Sequence, residues 1–128
     1  MTVILDAGGL SSLAGQRARL VELRRRGAWP AQVPAVVLAE ALHGDHRRDF
    51  ATNRLLRACQ VRPVTEVQAR AAARLRTNTG RAGTISATDA IVVAVAAEFS
   101  TAVVLTGDPR DLGALAAHTT VPVTIVAL

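Results

Sequence analysis

Apolar positions along the chain come in short continuous runs separated by segments of helical period, and this alternation predicts strands and helices in turn. Thr2 to Leu5, β-branched and leucine, ends at Asp6 and is followed by Ala7-Gly8-Gly9, which reads as a buried strand with a tight exit turn. From Gln16 to Arg26, Ala18, Leu20, Val21 and Leu23 oppose Arg17, Arg19, Glu22, Arg24, Arg25 and Arg26, the pattern of an amphipathic helix closed by Gly27. Gln32 to Pro34 predicts a second strand, and Ala35 to His43 a mostly apolar helix that carries Glu40. Asp49 to Cys59 predicts another helix, with Leu55 and Leu56 inside and Arg54 and Arg57 outside. Val61 to Val64 reads as a brief third strand, and Thr65 with Gln68 as the capping box of a helix running to about Arg76. Thr77 to Thr84, with Gly80 and Gly83, is expected to be the most flexible interior segment.

Ser86 to Phe99, reading SATDAIVVAVAAEF, is apolar on every side after its first turn. As a helix it has no solvent face and must lie centrally, yet it carries Asp89 inward. Ala102 to Leu105 predicts a fourth strand, Asp108-Pro109 the start of a helix to about His118, and Val123 to Val126 a last strand. Strands alternating with helices throughout, with no linker or repeat, predict one domain over residues 1–128. The expected architecture is a three-layer α/β/α sandwich with a mainly parallel central sheet.

A chain of 128 residues can bury a single core without disulfides or structural metals. With Trp29, Phe50 and Phe99 as its only aromatics, that core is built from Val, Leu, Ile and Ala, and stacking on bases is not a major binding device. The single Cys59, in an apolar setting, excludes a disulfide framework and a thiolate metal site. No basic segment follows Met1, and the longest apolar run, Ala90 to Ala97, is too short to span a bilayer, so a soluble, cytoplasmic protein is expected. The net charge is +5, and all fifteen basic residues are arginine. Arginine suits bidentate recognition of phosphate, so the basic balance fits a nucleic-acid or acidic-protein partner; a solvated basic surface is the alternative.

In an open parallel sheet the functional crevice lies beyond the carboxyl ends of the strands. Asp6 ends the first strand, Asp108 follows the fourth, and Glu40 and Asp89 lie on the helices after the second and third, in apolar surroundings that point them inward. In a chain without lysine, four acids at one end of a sheet call for a divalent cation, and hard oxygen donors favour Mg²⁺ or Mn²⁺ over zinc. Simpler roles compete at each position: an N-cap for Asp108, a helix-start charge for Asp89, and a pairing with arginine for Glu40. His43, His46 and His118 read as surface or helix-end residues, and Arg24 to Arg26 as a solvated helix face. Arg81, in the glycine-containing loop before the central helix, is placed to meet a phosphate near Asp89, as in an RNA contact if the partner is a nucleic acid; a merely flexible loop explains it equally well.

The motifs VILDAGGL with Asp6, VVLAEALHG with Glu40 and Gly44, SATDAIVVAVA with Asp89, and VVLTGDPRDL with Thr106, Asp108 and Asp111 together resemble the PIN domain family. Within it, the VapC toxins of bacterial toxin–antitoxin pairs are the nearest likeness. The resemblance spans almost the whole chain and implies a Mg²⁺- or Mn²⁺-dependent endoribonuclease, a homodimer held inactive by a cognate antitoxin. It also implies that Asp6, Glu40, Asp89 and Asp108 form the catalytic metal site, with Thr106 and Asp111 in support. On that basis a metal-activated water would attack phosphorus in RNA. Such toxins often carry Ser, Thr or Asn shortly after the first acid, where this chain has Ala7-Gly8-Gly9, so weaker metal affinity is expected from a missing hydroxyl. A phosphotransfer receiver or a haloacid-dehalogenase-like phosphatase would need a lysine that the chain lacks. A catalytically silent PIN-like module that binds RNA or a protein partner is the remaining alternative.

Overall fold

The computed structural model describes all 128 residues. Five strands, β1 (Thr2–Leu5), β2 (Gln32–Pro34), β3 (Gln60–Arg62), β4 (Ala102–Thr106) and β5 (Val123–Ala127), form one parallel sheet in the order β3-β2-β1-β4-β5. The helices are α1 (Ala7–Ala14), α2 (Arg17–Arg25), α3 (Leu38–Ala41), α4 (Phe50–Leu56), α5 (Glu66–Asn78), α6 (Ala87–Ala96) and α7 (Pro109–Ala116), and a 3₁₀ turn over Ala35–Val37 precedes α3. Parallel strands need crossover connections, and helices supply every one of them. No helix is long and apolar enough to cross a membrane.

The strand order sets where chemistry can happen. From β1 the chain builds outward through β2 and β3, then returns to add β4 and β5 on the other side. The order therefore reverses between β1 and β4, and a crevice opens at the carboxyl ends of that pair. Val3, Ile4 and Leu5 on β1 are almost wholly buried, as a central parallel strand covered on both faces requires. The register aligns Leu5 with Leu105, so the next residues along, Asp6 and Thr106, lie side by side at the carboxyl edge of the sheet. Helix α6 buries Ala90 and Val92 through Ala96 and packs against α5, α7 and strands β1, β2 and β4, which matches its all-round apolar sequence. Cys59 is a structural thiol: burial pushes its pKa up to about 11, and Sγ reaches the Leu55 carbonyl at 3.4 Å.

Four expectations are corrected. Ala7-Gly8-Gly9 is not an exit turn but the first turn of α1. A Cβ on Gly9 would lie 1.9 Å from the Leu105 carbonyl oxygen, and one on Gly8 would lie 2.9 Å from the Gly107 nitrogen. The glycines thus serve close approach of a helix to β4, not a reversal of the chain. The helix expected over Ala35 to His43 is a 3₁₀ turn followed by a single α turn that ends at an extended Leu42. Buried Asp49 takes over its termination by accepting the backbone N–H groups of His43, Gly44 and Asp45 at 2.9, 2.9 and 3.2 Å, and these bonds hold its pKa below the usual carboxylate value. Strand β3 stops at Arg62 because Pro63 has no N–H to offer the ladder. Finally, the segment from Thr77 to Thr84 is tied down: α5 continues to Asn78, and the Arg76 guanidinium donates to the carbonyls of Ala82 (2.7 Å) and Ile85 (3.0 Å).

Candidate active site at the carboxyl edge of the sheet

Asp6 is the N-cap of α1 and is only 8% exposed. Its Oδ1 accepts the Gly9 N–H at 2.6 Å, and its Oδ2 accepts the Thr106 hydroxyl. The same Thr106 oxygen accepts the Asp108 N–H at 3.0 Å, so one wholly buried hydroxyl links the exits of β1 and β4. Burial raises the Asp6 pKa above its ordinary value. The bonds from Thr106 and Gly9 pull it back, and the charges of Glu40 and Asp108 push it up. The one hydroxyl that meets the Asp6 carboxylate comes from Thr106, on the neighbouring strand.

Asp89 lies in the first turn of α6, where Ser86 rather than Asp89 caps the helix by accepting the Asp89 N–H at 3.1 Å. Its carboxyl is half-buried, and burial raises its pKa. The Ser86 bond lowers it, and the charges of Asp6, Glu40 and Asp111 raise it again. Asp108 does cap its helix, accepting the Arg110 N–H at 3.3 Å, with Pro109 in the first helical position. Glu40 was expected to point inward; instead it is exposed, because the 3₁₀ turn before α3 shifts the helical phase and places it on the rim. It forms no ion pair, and its charge still reaches both Asp6 and Asp89.

Around this mouth the only acid in contact with a cation is Asp111, whose Oδ1 takes Arg81 Nη2 at 2.8 Å. No three carboxylates stand close enough to cage an ion unaided. Mg²⁺ does not require such a cage, since it keeps several waters and takes one or two carboxylates. An open ring of hard oxygen donors, with Asp6, Glu40, Asp89 and Asp108 lacking any positive partner, fits Mg²⁺ or Mn²⁺. The histidines stand apart: His43 Nδ1 lies 3.0 Å from Asp49 in the loop after α3.

At the opposite end of α1 lies a feature the sequence did not reveal. Helices α1, α2 and α4 enclose a groove of about 370 Å³, floored by Leu13, Leu20, Val21 and Leu55 and edged by Arg17, Arg24 and Arg54. Phe50, more than half exposed, stands on its rim. The nearest signal was the exposed Val21 among the arginines of α2.

The family described as PIN domain matches residues 4–117. The chain belongs to the PIN domain family. PIN domains are generally nucleases and generally depend on divalent metal. No curated protein matches the sequence. Among solved structures, the DNA-bound VapBC of Salmonella typhimurium is similar at 16% identity and TM-score 0.69, covering 99% of this chain and 98% of that one. FitAcB from Neisseria gonorrhoeae is 21% identical with TM-score 0.62, covering 95% and 96%. PAE2754 from Pyrobaculum aerophilum is 17% identical with TM-score 0.67, covering 97% and 83%. At these identities the likeness establishes the shared PIN fold, whose switch point between β1 and β4 holds the acids described above.

Proposed function

We propose that this PIN domain is the toxin of a toxin–antitoxin pair, a Mg²⁺- or Mn²⁺-dependent endoribonuclease that hydrolyses RNA phosphodiester bonds. The observation that carries this reading is the ring of four acids without cationic partners, anchored by a buried Asp6 whose two oxygens are fixed by Gly9 and Thr106. Asp6, Asp89, Asp108 and Glu40 are the residues that would hold the ion, with Asp111 at their edge. When bound, the cation supplies charge stabilisation at the phosphoryl oxygens and a lowered pKa for water. The chain's own contribution is orientation and proton handling. Thr106 holds Asp6 and the Asp108 backbone in register, and one of the acids would orient the attacking water or take its proton. The chain's fifteen arginines favour the RNA backbone.

The similar structures include VapBC and FitAB complexes, which supports an antitoxin as partner. The groove between α1, α2 and α4 suits an amphipathic helix with apolar and acidic faces, because its floor is apolar and all its charged lining residues are arginine.

Metal removal is the direct test. Purified protein is expected to cleave RNA with Mg²⁺ or Mn²⁺ and to stop in excess EDTA; undiminished cleavage in EDTA would refute the metal mechanism. RNA binding without cleavage under any metal would identify a silent module.

Thermal unfolding tests the site itself. A carboxyl whose folded pKa is raised contributes stability below its unfolded value and loses it as pH climbs through the folded value. Asp89 without metal is thus a source of strain at neutral pH. Asp89→Asn should melt higher than wild type in EDTA at pH 7, by about 1 kcal/mol or less given solvent screening at a half-buried position. The difference should shrink as pH falls toward 3.8, the ordinary aspartate value, and the variant should gain less from Mg²⁺. Lower melting in EDTA with the full Mg²⁺ gain retained would make Asp89 a structural group.

A further inference from the structure

The acidic mouth that suits a cation presents a difficulty for the substrate, since four acids without cationic partners face an approaching RNA backbone. One arginine is tied to an acid at its edge. Arg81 Nη2 contacts Asp111 Oδ1 at 2.8 Å across the gap between the loop after α5 and the first turn of α7, with side chains 39% and 25% exposed. This is a one-point contact: it uses a single Nη2 hydrogen, and Nε and Nη1 of Arg81 have no protein partner, so donors remain free to meet a phosphate.

The loop that carries Arg81 is built to present it. Gly80 turns the chain with φ +69°. The Arg81 N–H donates to Thr79 Oγ1 at 3.1 Å, and the Arg81 carbonyl accepts the N–H groups of Thr84 (2.9 Å) and Ile85 (3.0 Å) and the Thr84 hydroxyl (3.2 Å). From below, Arg76 clamps the carbonyls of Ala82 and Ile85. Two residues of the mouth lie at the ends of this arrangement. Asp89 follows the loop in the first turn of α6, and α7, which carries Asp111, packs directly against α6.

We propose that Arg81, tethered by Asp111, grips a backbone phosphate of the RNA beside the one being cut, and that Asp111 serves as its tether rather than as a metal ligand. This rests on the nuclease reading above, and it gives the two residues separate tasks. Arg81 touches substrate; Asp111 is a positioning residue that acts through Arg81. A guanidinium pre-set in this way loses less side-chain freedom when it binds than a free surface arginine would.

The test compares wild type, Arg81→Ala, Arg81→Lys, Asp111→Asn and the double variant Arg81→Ala/Asp111→Asn on a short single-stranded RNA. Cleavage is measured with Mg²⁺, and equilibrium binding is measured in EDTA over a range of salt. Arg81→Ala should raise KM about tenfold with kcat nearly unchanged, the loss of one charge-assisted contact. In the binding assay it should flatten the slope of log K against log salt by about 0.7, one phosphate on a single strand. Arg81→Lys should restore the salt slope and part of KM. Asp111→Asn should raise KM by less, leave the Mg²⁺ concentration for half-maximal rate unchanged, and add nothing to Arg81→Ala in the double variant. Melting curves confirm folding, since both side chains lie at the surface.

The proposal is overturned if Arg81→Ala keeps the wild-type salt slope, or if Asp111→Asn raises the Mg²⁺ requirement or adds fully to Arg81→Ala. If wild type binds RNA without cutting it, the nuclease reading fails while the salt slope still decides the phosphate contact. If it does neither, both fall.

Discussion

Gly9→Ala is expected to destabilise the protein by about 3 kcal/mol, the upper end of the usual cost of overpacking. The added Cβ would stand 1.9 Å from the Leu105 carbonyl oxygen, and that atom is backbone in a central strand, so no side chain can swing away. Helix α1 or strand β4 would have to move. Either movement breaks the alignment by which the Gly9 N–H holds Asp6 Oδ1, so RNA cleavage should fall along with stability. Gly113→Ala provides the opposite sign. Nothing lies within 4 Å of a Cβ there and the residue is inside α7, so alanine should stabilise by up to about 1 kcal/mol. Chemical denaturation of the three proteins checks both; equal stability of Gly9→Ala and wild type would mean that α1 does not lie as close to β4 as described.

Thr106→Val should be the other costly change, although it preserves shape. Valine offers neither the proton that Asp6 Oδ2 receives nor the oxygen that the Asp108 N–H reaches. Leaving these groups without partners costs about 2 kcal/mol once Asp6 is ionised. The sign with pH follows from the Asp6 pKa, which burial already raises. Losing the Thr106 bond raises it further, so the deficit against wild type should be smallest near pH 4, where the lost acceptor of the Asp108 N–H still contributes, grow as pH climbs through the folded Asp6 pKa, and then level off. Thr106→Ser should recover most of the loss, because the hydroxyl returns. Urea unfolding across that pH range is the measurement; a deficit independent of pH would assign Thr106 to packing alone.

The sequence carried the features that depend on local chemistry. The capping box at Thr65 and Gln68 forms as read, and Gln32–Pro34 is a strand at the expected residues. Asp6 and Asp108 could be placed at strand ends because a strand announces its end in sequence. What escaped depended on partners far along the chain or on the exact phase of a short helix. Gly8-Gly9 carries the composition of a turn, and only the nearness of Leu105 and Gly107 shows that it serves a helix contact. Glu40 sits among apolar neighbours in sequence, but the 3₁₀ turn before it rotates it outward. The pairing of Arg81 with Asp111 spans 30 residues and two elements, and neither residue's surroundings in the sequence signal it.

The hydrogen bond between Thr106 and Asp6 joins residues 100 apart, and this bears on the order in which the protein becomes active during synthesis. The first half of the site leaves the ribosome early and waits, at about 5–20 residues per second, roughly 5–20 s for its counterpart. In the meantime β1 can pair with β2 but not with β4, and Asp6 has no hydroxyl to hold it. A nascent or prematurely ended chain that lacks β4 would carry Asp6, Glu40 and Asp89 without the strand that aligns them. On the nuclease reading proposed above this timing would be protective, because the site would be aligned only once β4 had been made.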